Sequence, residues 1–354
     1  MNAQAPRTHR PLLAAAAATL LVLAGCGGGA GSTDATAVAS ANSGDAPGGG
    51  TASSAGPTDA MRASAAATTA ASSSNACSLV RPFYWEIGDA SGRRAGGSVG
   101  GEAGAPAPAA GTPMHFASAT KWLYAAYAME RAGGQPTTTD VRMLTMHSGY
   151  KNMSGSCDRE QTIDGCLAEG INGSYTARAD GRYYYNGAHM QVHASLNGLG
   201  SMDAAGLGAE LRRVLGPELA IDFSSPMPAG GAYGTADAYA AFLRKLLRKD
   251  LHLGEQLGAH AVCASLAGCL AGTVMYSPAI PGERAHYALG HWVESDPVTG
   301  DGSFHSAGAF GFYPWIDASR RTYGVLARQA SNGAHGSMRC GRLIRRAWSL
   351  GQPL

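Results

Sequence analysis

SATKWLYAAYAMER, at residues 118–131, is the most informative stretch of this sequence. Its apolar residues recur at helical spacing and two glycines follow shortly after it, so the pattern predicts a helix over residues 119–131. Ser118 would then stand at the first turn of the helix. Backbone N–H groups there have no intrahelical partner and favour negative charge, so an oxyanion at this serine would be stabilised.

Lys121 lies three residues after Ser118, which places both side chains on one face of the predicted helix. A serine hydroxyl is a poor nucleophile unless a base takes its proton, and a lysine can do this if burial keeps it neutral. Ser148 and Lys151 have the same spacing, but no helical pattern follows them. We therefore predict Ser118 as the nucleophile and Lys121 as its base.

The run Tyr184-Tyr185-Asn186 offers a second set of polar groups. A Y-x-N turn can place the phenol of Tyr184 and the amide of Asn186 in one cleft, where the phenol relays protons and the amide holds a carbonyl. The alternative interpretation is the end of a tyrosine-rich strand. The similar spacing of Tyr150 and Asn152 is discounted.

The order S-x-x-K, then Y-x-N, then a glycine-rich strand near the C-terminus resembles the serine β-lactamase and penicillin-binding-protein superfamily. The likeness is to its class C β-lactamase, D,D-peptidase and esterase branch. Residues 144–149 are similar to the LLTHTSG stretch of that branch, residues 235–243 to its TAxDxAxFL helix, and residues 287–292 to its YGLGW strand. The resemblance covers most of residues 83–348.

This resemblance implies an α/β (α+β) fold, with an antiparallel sheet flanked by helices and a helical subdomain. It implies a serine hydrolase that works through an acyl-enzyme without a cofactor. Ser118 would attack, Lys121 and Tyr184 would share proton transfer, and Asn186 would position the substrate. The oxyanion hole would consist of the backbone N–H groups of Ser118 and Ala309.

The third motif departs from the pattern of that branch. The glycine spacing aligns Ser306-Ala307-Gly308-Ala309 with its K-T-G or H-x-G segment, so Ser306 stands where the family has a cation. His305 precedes it, and adjacent residues of a strand face opposite ways unless a bulge intervenes. His305 is thus either structural or part of the site. Without a cation the β-lactamase and carboxypeptidase interpretations weaken, and ester or uncharged amide hydrolysis stays open.

Two other functions remain open on the sequence. The chain could bind penicillin or a cell-wall peptide with little turnover, or it could be a structural envelope lipoprotein. His286, His291 and His335 show no metal-ligand spacing, so we expect no metal. Only 15% of residues are charged and the net charge is +2, which argues against nucleic-acid binding. We expect a monomer that acts on a small or peptide-like substrate.

Hydrophobic periodicity gives a coarse order of elements. A turn at residues 90–92 leads into a loop that runs to about residue 112. The predicted helices, besides the one at 119–131, are residues 140–146, 190–196, 203–215, 235–249 and 337–350, and the predicted strands are residues 83–89, 287–293, 304–316 and 322–328. Strands at both ends with helices between them favour one antiparallel sheet covered by helices.

The N-terminal region has the pattern of an exported protein. Residues 1–25 read as a signal peptide, and Leu23-Ala24-Gly25-Cys26 resembles a bacterial lipobox, which predicts lipidation at Cys26 and a membrane anchor facing the periplasm. The alternative is an ordinary secretory signal. Residues 26–76 read as a disordered Gly/Ser/Ala-rich tether. Some helix is possible over residues 59–71, but we find no cap or apolar stripe that would hold it. Residues 77–354 would form the hydrolase domain.

The six cysteines beyond Cys26 predict disulfides, since the compartment is oxidising. Six cysteines allow fifteen pairings, so the sequence alone does not choose. Proximity suggests Cys157–Cys166 and Cys263–Cys269, which leaves Cys77–Cys340 to join the two ends of the domain.

Overall fold

The structure is a computed structural model that describes residues 56–101, 104–155 and 157–354. The predicted signal peptide, the lipidation at Cys26 and the first part of the tether lie outside the described residues. No helix within the described ranges is long and apolar enough to cross a membrane.

The bounds of the elements are as follows. In chain order, the α-helices are α1 (Asp59–Ala71), α2 (Thr120–Arg131), α3 (Thr138–Leu144), α4 (Ile163–Leu167), α5 (Ala188–Ala194), α6 (Ala204–Leu215), α7 (Ala236–Arg248) and α8 (Ala334–Leu350). The strands are β1 (Phe83–Asp89), β2 (Gly92–Val99), β3 (Met114–His115), β4 (Tyr183–Tyr184), β5 (Ile221–Phe223), β6 (Ala232–Gly234), β7 (Val262–Cys263), β8 (Val274–Tyr276), β9 (His286–Tyr287), β10 (Trp292–Val293), β11 (Phe304–His305), β12 (Tyr313–Ile316) and β13 (Thr322–Ala327).

One antiparallel sheet organises the domain, which confirms the predicted fold class. Its strands lie in the order β2-β1-β13-β12-β11-β10-β9-β7. Successive side chains of β1 point to opposite faces of the sheet, so the strand contributes to the packing on both faces. Tyr84 belongs to the main core around α2, whereas Phe83, Trp85 and Ile87 belong to an outer core under α1 and α8. The sheet is therefore covered by helices on both faces, as its apolar sides require.

Helix α2 lies at the centre of the main core. Every residue from Thr120 to Met129 is buried, so the helix is enclosed on all sides. Two contacts hold its N-terminal end: the Tyr239 hydroxyl donates to Ala119 O at 2.8 Å, and Ala232 N donates to Thr120 Oγ1 at 3.2 Å. The end of the helix that carries Ser118 is therefore a fixed point of the fold.

The prediction of a disordered tether up to residue 76 is wrong from α1 onward. The Thr58 hydroxyl caps this helix, and its buried alanines, Ala66 and Ala70 among them, pack in the outer core beside α8. Arg62 Nη1 also donates to the free carbonyl of Trp348 at the end of α8, at 3.0 Å. Alanine is the strongest helix former, and its small side chain lets two helices approach closely. The folded domain therefore includes residues before Cys77.

Two predicted strands are in fact pairs of strands. Residues 287–293 form a hairpin in which Trp292 pairs with Tyr287, because Gly290 adopts φ +71° and turns the chain. An added Cβ at Gly290 would lie 2.5 Å from Lys121 O, so only glycine fits against α2. Residues 304–316 likewise divide into β11 and β12.

The predicted loop after residue 92 begins instead with β2, which pairs with β1.

The three predicted disulfides are all bonded in the structure: Cys77–Cys340, Cys157–Cys166 and Cys263–Cys269. The first one joins the segment after α1 to α8, with Cα atoms 4.6 Å apart. The residues before β1 and the closing helix are thus linked covalently as well as by packing.

We predict that a charge on the buried face of α1 destabilises the whole domain. Ala66 is buried against α8, whereas Ala67 on the same helix is exposed. Ala66→Glu should lower the free energy of unfolding by about 3 kcal/mol or more, because an unpaired carboxylate would be buried. Ala67→Glu should change it by less than about 0.5 kcal/mol. Urea unfolding followed by tryptophan fluorescence measures both, and equal stabilities would show that α1 is not part of the fold.

Candidate active site

Ser118 lies on a single 3₁₀ turn, Ala117–Ala119, that runs directly into α2. The residue before it, Ala117, adopts φ +46°, a left-handed conformation that costs energy for a residue with a Cβ. Such strain persists where the surrounding structure enforces it and often marks a functional site. Ser118 is partly exposed and lines a cleft, so its hydroxyl can be reached from solution.

Lys121 brings an amine to Ser118, as predicted. Its Nζ lies 3.2 Å from Ser118 Oγ and donates to Ala229 O at 2.7 Å. The side chain is buried, and within the described residues no carboxylate lies at salt-bridge distance from it. Burial lowers the pKa of the Lys121 ammonium to about 7. A large fraction is therefore neutral at neutral pH and able to accept a proton.

Tyr185 is the phenol that faces this pair. Lys121 Nζ lies 4.8 Å from the centre of the Tyr185 ring. Burial raises the pKa of the Tyr185 hydroxyl to about 12, and hydrogen bonds with Ser118 and Trp292 oppose that rise only in part. The phenol therefore stays protonated at neutral pH, which makes it a proton donor that touches the nucleophile.

The structure does not bring Tyr184 to the site, so the predicted role of that residue is corrected. Its ring packs on Tyr276 at 5.5 Å, and Lys151 Nζ lies 5.2 Å above it. The reason is the alternation of side chains along β4. Tyr183 points into the main core, Tyr184 points away from it, and Tyr185 returns to the inner side.

Asn186 lines the same cleft as Ser118. Its Oδ1 accepts a hydrogen bond from Ala188 N at 2.8 Å, at the start of α5. No acceptor for its Nδ2 is found within the described residues. The amide N–H₂ group is thus left to hold a substrate carbonyl, the role predicted for this residue.

Ser306 occupies a structural position beside the nucleophile. It is buried, and its hydroxyl donates to Ser118 O at 3.0 Å. Gly308 lies close by: an added Cβ there would come within 2.1 Å of Phe116 O. The glycine therefore permits the close approach of this segment to the Ser118 turn. Neither residue carries a positive charge.

Ala309 follows as the second residue of a β-turn closed by Gly311 N donating to Gly308 O at 2.9 Å. Within the described residues its own N–H has no backbone acceptor. The Ser118 N–H lies in the first turn of a helical segment, where such groups lack partners. Because Ser118 and Ala309 line one cleft, their N–H groups remain the candidate oxyanion hole.

His305 lines the cleft that also contains Ser118. Its Nδ1 accepts from Ala307 N at 3.3 Å, and its Nε2 lies 3.8 Å from Glu294 Oε1. Burial lowers the pKa of the imidazole to about 3, so the ring is neutral. The pairing of β11 shows no bulge, so His305 and Ala307 line the cleft while Ser306 between them does not, and His305 does not take the place of Ser306. It supports the strand end and contributes no cation.

Three groups at the site were not predicted from the sequence: the side chains of Tyr185 and Trp292 and the carbonyl oxygen of Ala229. The alternation of side chains in the tyrosine run could have indicated the first of them. Trp292 belongs to a segment interpreted as one strand, and a backbone carbonyl leaves no sequence signal. At the discounted second motif, Ser148 Oγ lies 2.6 Å from His189 Nδ1, and Lys151 Nζ donates to Asn152 Oδ1 at 3.1 Å, so that serine and lysine are not paired.

The cleft beside Ser118 has a volume of about 630 Å³. This size is typical of pockets for small organic ligands. Within the described ranges, no group of three or more His, Cys, Asp or Glu side chains could hold a metal ion. What these residues offer is a reactive hydroxyl, a neutral amine, a protonated phenol and backbone donors around one small-molecule cleft.

Comparison with known proteins identifies the fold. No family model and no curated protein matches the sequence. Among solved structures, EstCE1, "a hydrolase with promiscuous acyltransferase activity", has a TM-score of 0.60 at 13% identity, covering 82% of this chain and 99% of its own. A penicillin-binding protein from Bacillus halodurans has a TM-score of 0.51 at 14% identity (72% and 93% covered). Simvastatin synthase (LovD) from Aspergillus terreus also scores 0.51 at 14% identity (82% and 97%).

These likenesses confirm the resemblance at the level of the fold. The chain has the fold that these structures share with a "putative beta-lactamase from Bacteroides dorei" (TM-score 0.55 at 17% identity; 75% and 93% covered). Identities this low do not establish a reaction. The chemistry therefore depends on the residues of this chain, above all Ser118, Lys121 and Tyr185.

We predict that the reactivity of Ser118 falls as Lys121 becomes protonated. The rate of labelling by a fluorophosphonate should be constant above pH 8 and fall about tenfold per pH unit below a midpoint near 7, because only the neutral amine accepts the serine proton. Lys121→Arg should reduce labelling by about 10²-fold or more, since a guanidinium stays charged. Lys151→Arg, in the unpaired second motif, is the control. A pH-independent rate would contradict the role of Lys121.

Proposed function

We propose that this chain, with its serine β-lactamase and penicillin-binding-protein fold, is a serine hydrolase that acts on an ester through an acyl-enzyme at Ser118. The observation that carries the proposal is the 3.2 Å contact between Ser118 Oγ and a buried amine whose pKa is lowered to about 7. A hydroxyl and a neutral base at this distance form the pair that nucleophilic catalysis requires.

Acylation follows from the position of each group. The lone pair of neutral Lys121 accepts the proton of Ser118 while Oγ attacks the substrate carbonyl. The oxyanion forms against the N–H groups of Ser118 and Ala309, and one such donor contributes about 3 kcal/mol to transition-state stabilisation. Protonated Tyr185 then gives its proton to the leaving alcohol, and the Lys121 ammonium returns a proton to the phenolate.

Deacylation uses the same groups in reverse. A water molecule attacks the acyl carbon while neutral Lys121 accepts its proton. The bond between the acyl carbon and Ser118 Oγ breaks, and the serine recovers its proton. The carboxylic acid then leaves, and no further reactant is needed.

An ester is preferred over a β-lactam because Ser306 stands at the place of the family cation. Serine carries no positive charge that could bind a substrate carboxylate. Its hydroxyl also donates its only proton to Ser118 O. An uncharged amide shares this feature with an ester but has a poorer leaving group. The structural neighbour EstCE1 is itself described as a hydrolase.

The absence of that cation also supports a second candidate, a binding or sensing protein that acylates but turns over slowly. Intact-protein mass spectrometry with a penicillin separates the two. An adduct on Ser118 that persists for hours without released product favours binding, whereas an adduct that disappears within the turnover time of an ester favours the hydrolase.

We also propose that the protein is lipidated at Cys26 and held at a membrane of the cell envelope. The lipobox pattern supports this proposal. Metabolic labelling with palmitate should mark the native protein and leave a Cys26→Ser variant unlabelled and in the periplasmic fraction. Equal membrane retention of both proteins would contradict it.

We predict that Ser118→Ala reduces kcat/KM for p-nitrophenyl acetate by at least about 10³-fold, because the acyl-enzyme can no longer form. Ser148→Ala is the matched control, since it removes the serine of the other S-x-x-K sequence. It should retain most of the activity. Retained hydrolysis in Ser118→Ala would show that another group is the nucleophile.

We predict that the two neighbouring tyrosines differ sharply in function. Tyr185→Phe should lower kcat about 10²-fold, because the donor of the leaving-group proton is removed. Tyr184→Phe should lower it less than about threefold, since that ring packs on Tyr276 and is not among the residues that line the cleft. The deficit of Tyr185→Phe should shrink for esters with more acidic leaving groups, which need no proton. A larger loss of kcat in Tyr184→Phe than in Tyr185→Phe would show that Tyr184 is the proton donor.

A further inference from the structure

We infer that the cleft holds an uncharged ester whose apolar chain lies between the loop after β8 and the start of α8. This inference rests on the proposed function and adds the class of substrate. It is drawn from the walls of the cleft away from Ser118, which the reaction itself does not use.

The cleft continues from Ser118 as one cavity to the beginning of α8. Apolar residues line this end of it, namely Pro278, Ile280, Val293, Ala334 and Met338, together with His335, whose Nε2 lies 2.9 Å from Pro278 O. Ile280 and Met338 are nearly fully buried and anchored in the outer core. The walls of this part of the cavity are therefore fixed and largely apolar, and they are continuous with the nucleophile.

The charged groups that line the cavity balance one another. They are two carboxylates and two guanidiniums: Glu283, Glu294, Arg284 and Arg342. Arg342 is held by Glu283 at 2.8 Å and by Glu294 at 2.9 Å. The remaining cation, Arg284, is exposed to solvent, where a charge contributes little to binding.

Arg345 does not line the cavity but contributes a further positive charge beside Glu294. It pairs with the buried Glu294 at 2.7 Å, so that carboxylate is already matched by two cations. His305, which also lines the cleft, is neutral. An anionic chain would therefore lose its hydration without meeting an unpaired buried cation among the residues that line the cavity, whereas a neutral chain has no such cost.

The reactive end and the apolar walls together define the ligand. A carbonyl would sit at the Ser118 and Ala309 N–H groups and the amide of Asn186, and the chain would run toward Met338. The chain can belong to either the acyl or the alcohol part of the ester. Each methylene that enters such a surface should raise kcat/KM by roughly fourfold until the cavity is filled.

Two series of esters test this inference on the unmodified protein. One lengthens the acyl group of a p-nitrophenyl ester from acetyl to octanoyl, and the other lengthens the alcohol of an acetate. We expect kcat/KM to rise by tenfold or more along one series, which identifies the part that enters the cleft. A terminal carboxylate on a chain of equal length should lower kcat/KM at least tenfold. A preference for the carboxylate, or a flat profile in both series, would overturn the inference.

Ala334→Phe narrows the cleft and should lower the ratio of octanoyl to acetyl kcat/KM by tenfold or more, or the corresponding ratio in the alcohol series. Ala205→Phe is the matched control, because it makes the same change at an exposed position near the start of α6. It should leave the ratio unchanged. If the folded Ala334→Phe variant keeps the same ratio of kcat/KM values, the start of α8 does not contact the substrate chain.

Labelling with methyl, butyl and octyl fluorophosphonates separates failure of the inference from failure of the proposed function. Intact mass measures the rate of adduct formation at Ser118 without any turnover. Faster labelling with longer chains supports the apolar subsite. Labelling at equal rates overturns the subsite and leaves the nucleophile intact. No labelling by any of the three reagents would overturn both.

Discussion

The candidate active site depends on one buried amine. Lys121 Nζ contacts Ser118 Oγ and Ala229 O in a buried position where none of the described carboxylates pairs with it, and burial lowers the pKa of the ammonium to about 7. A salt bridge would stabilise the charged form and abolish its use as a base. The cost of burying an amine without a counter-ion is thus what makes the serine reactive.

The fold surrounds this amine from several directions. Helix α2 carries both Ser118 and Lys121, and its enclosure by the main core fixes them. The hairpin at residues 287–292 comes close enough to touch Lys121 O only because residue 290 is a glycine, and Gly308 allows the other strand to reach Phe116 O. Two glycines therefore set how closely the sheet approaches the nucleophile. The cavity left beyond that contact is apolar and electrically balanced, which suits a neutral substrate.

Much of this arrangement could be predicted from the sequence, because helical spacing in residues 119–131 is a strong local signal and it carries the serine and the lysine. The phenol could not be chosen, since Tyr184 and Tyr185 differ only in which face of a short strand they occupy. The hairpin at 287–292 looked like one strand because its turn residues are apolar and buried. Helix α1 was missed because its alanines gain their stability from α8, which is distant in sequence.

The central claim is the neutrality of one lysine, and it can be measured directly. The chain contains only four lysines, Lys121, Lys151, Lys245 and Lys249, so a protein labelled with [ε-¹³C]lysine gives few NMR signals. We expect one resonance, absent in Lys121→Arg, to titrate near pH 7. If the resonance lost in Lys121→Arg titrates above pH 10, the amine is charged at neutral pH and the account is wrong.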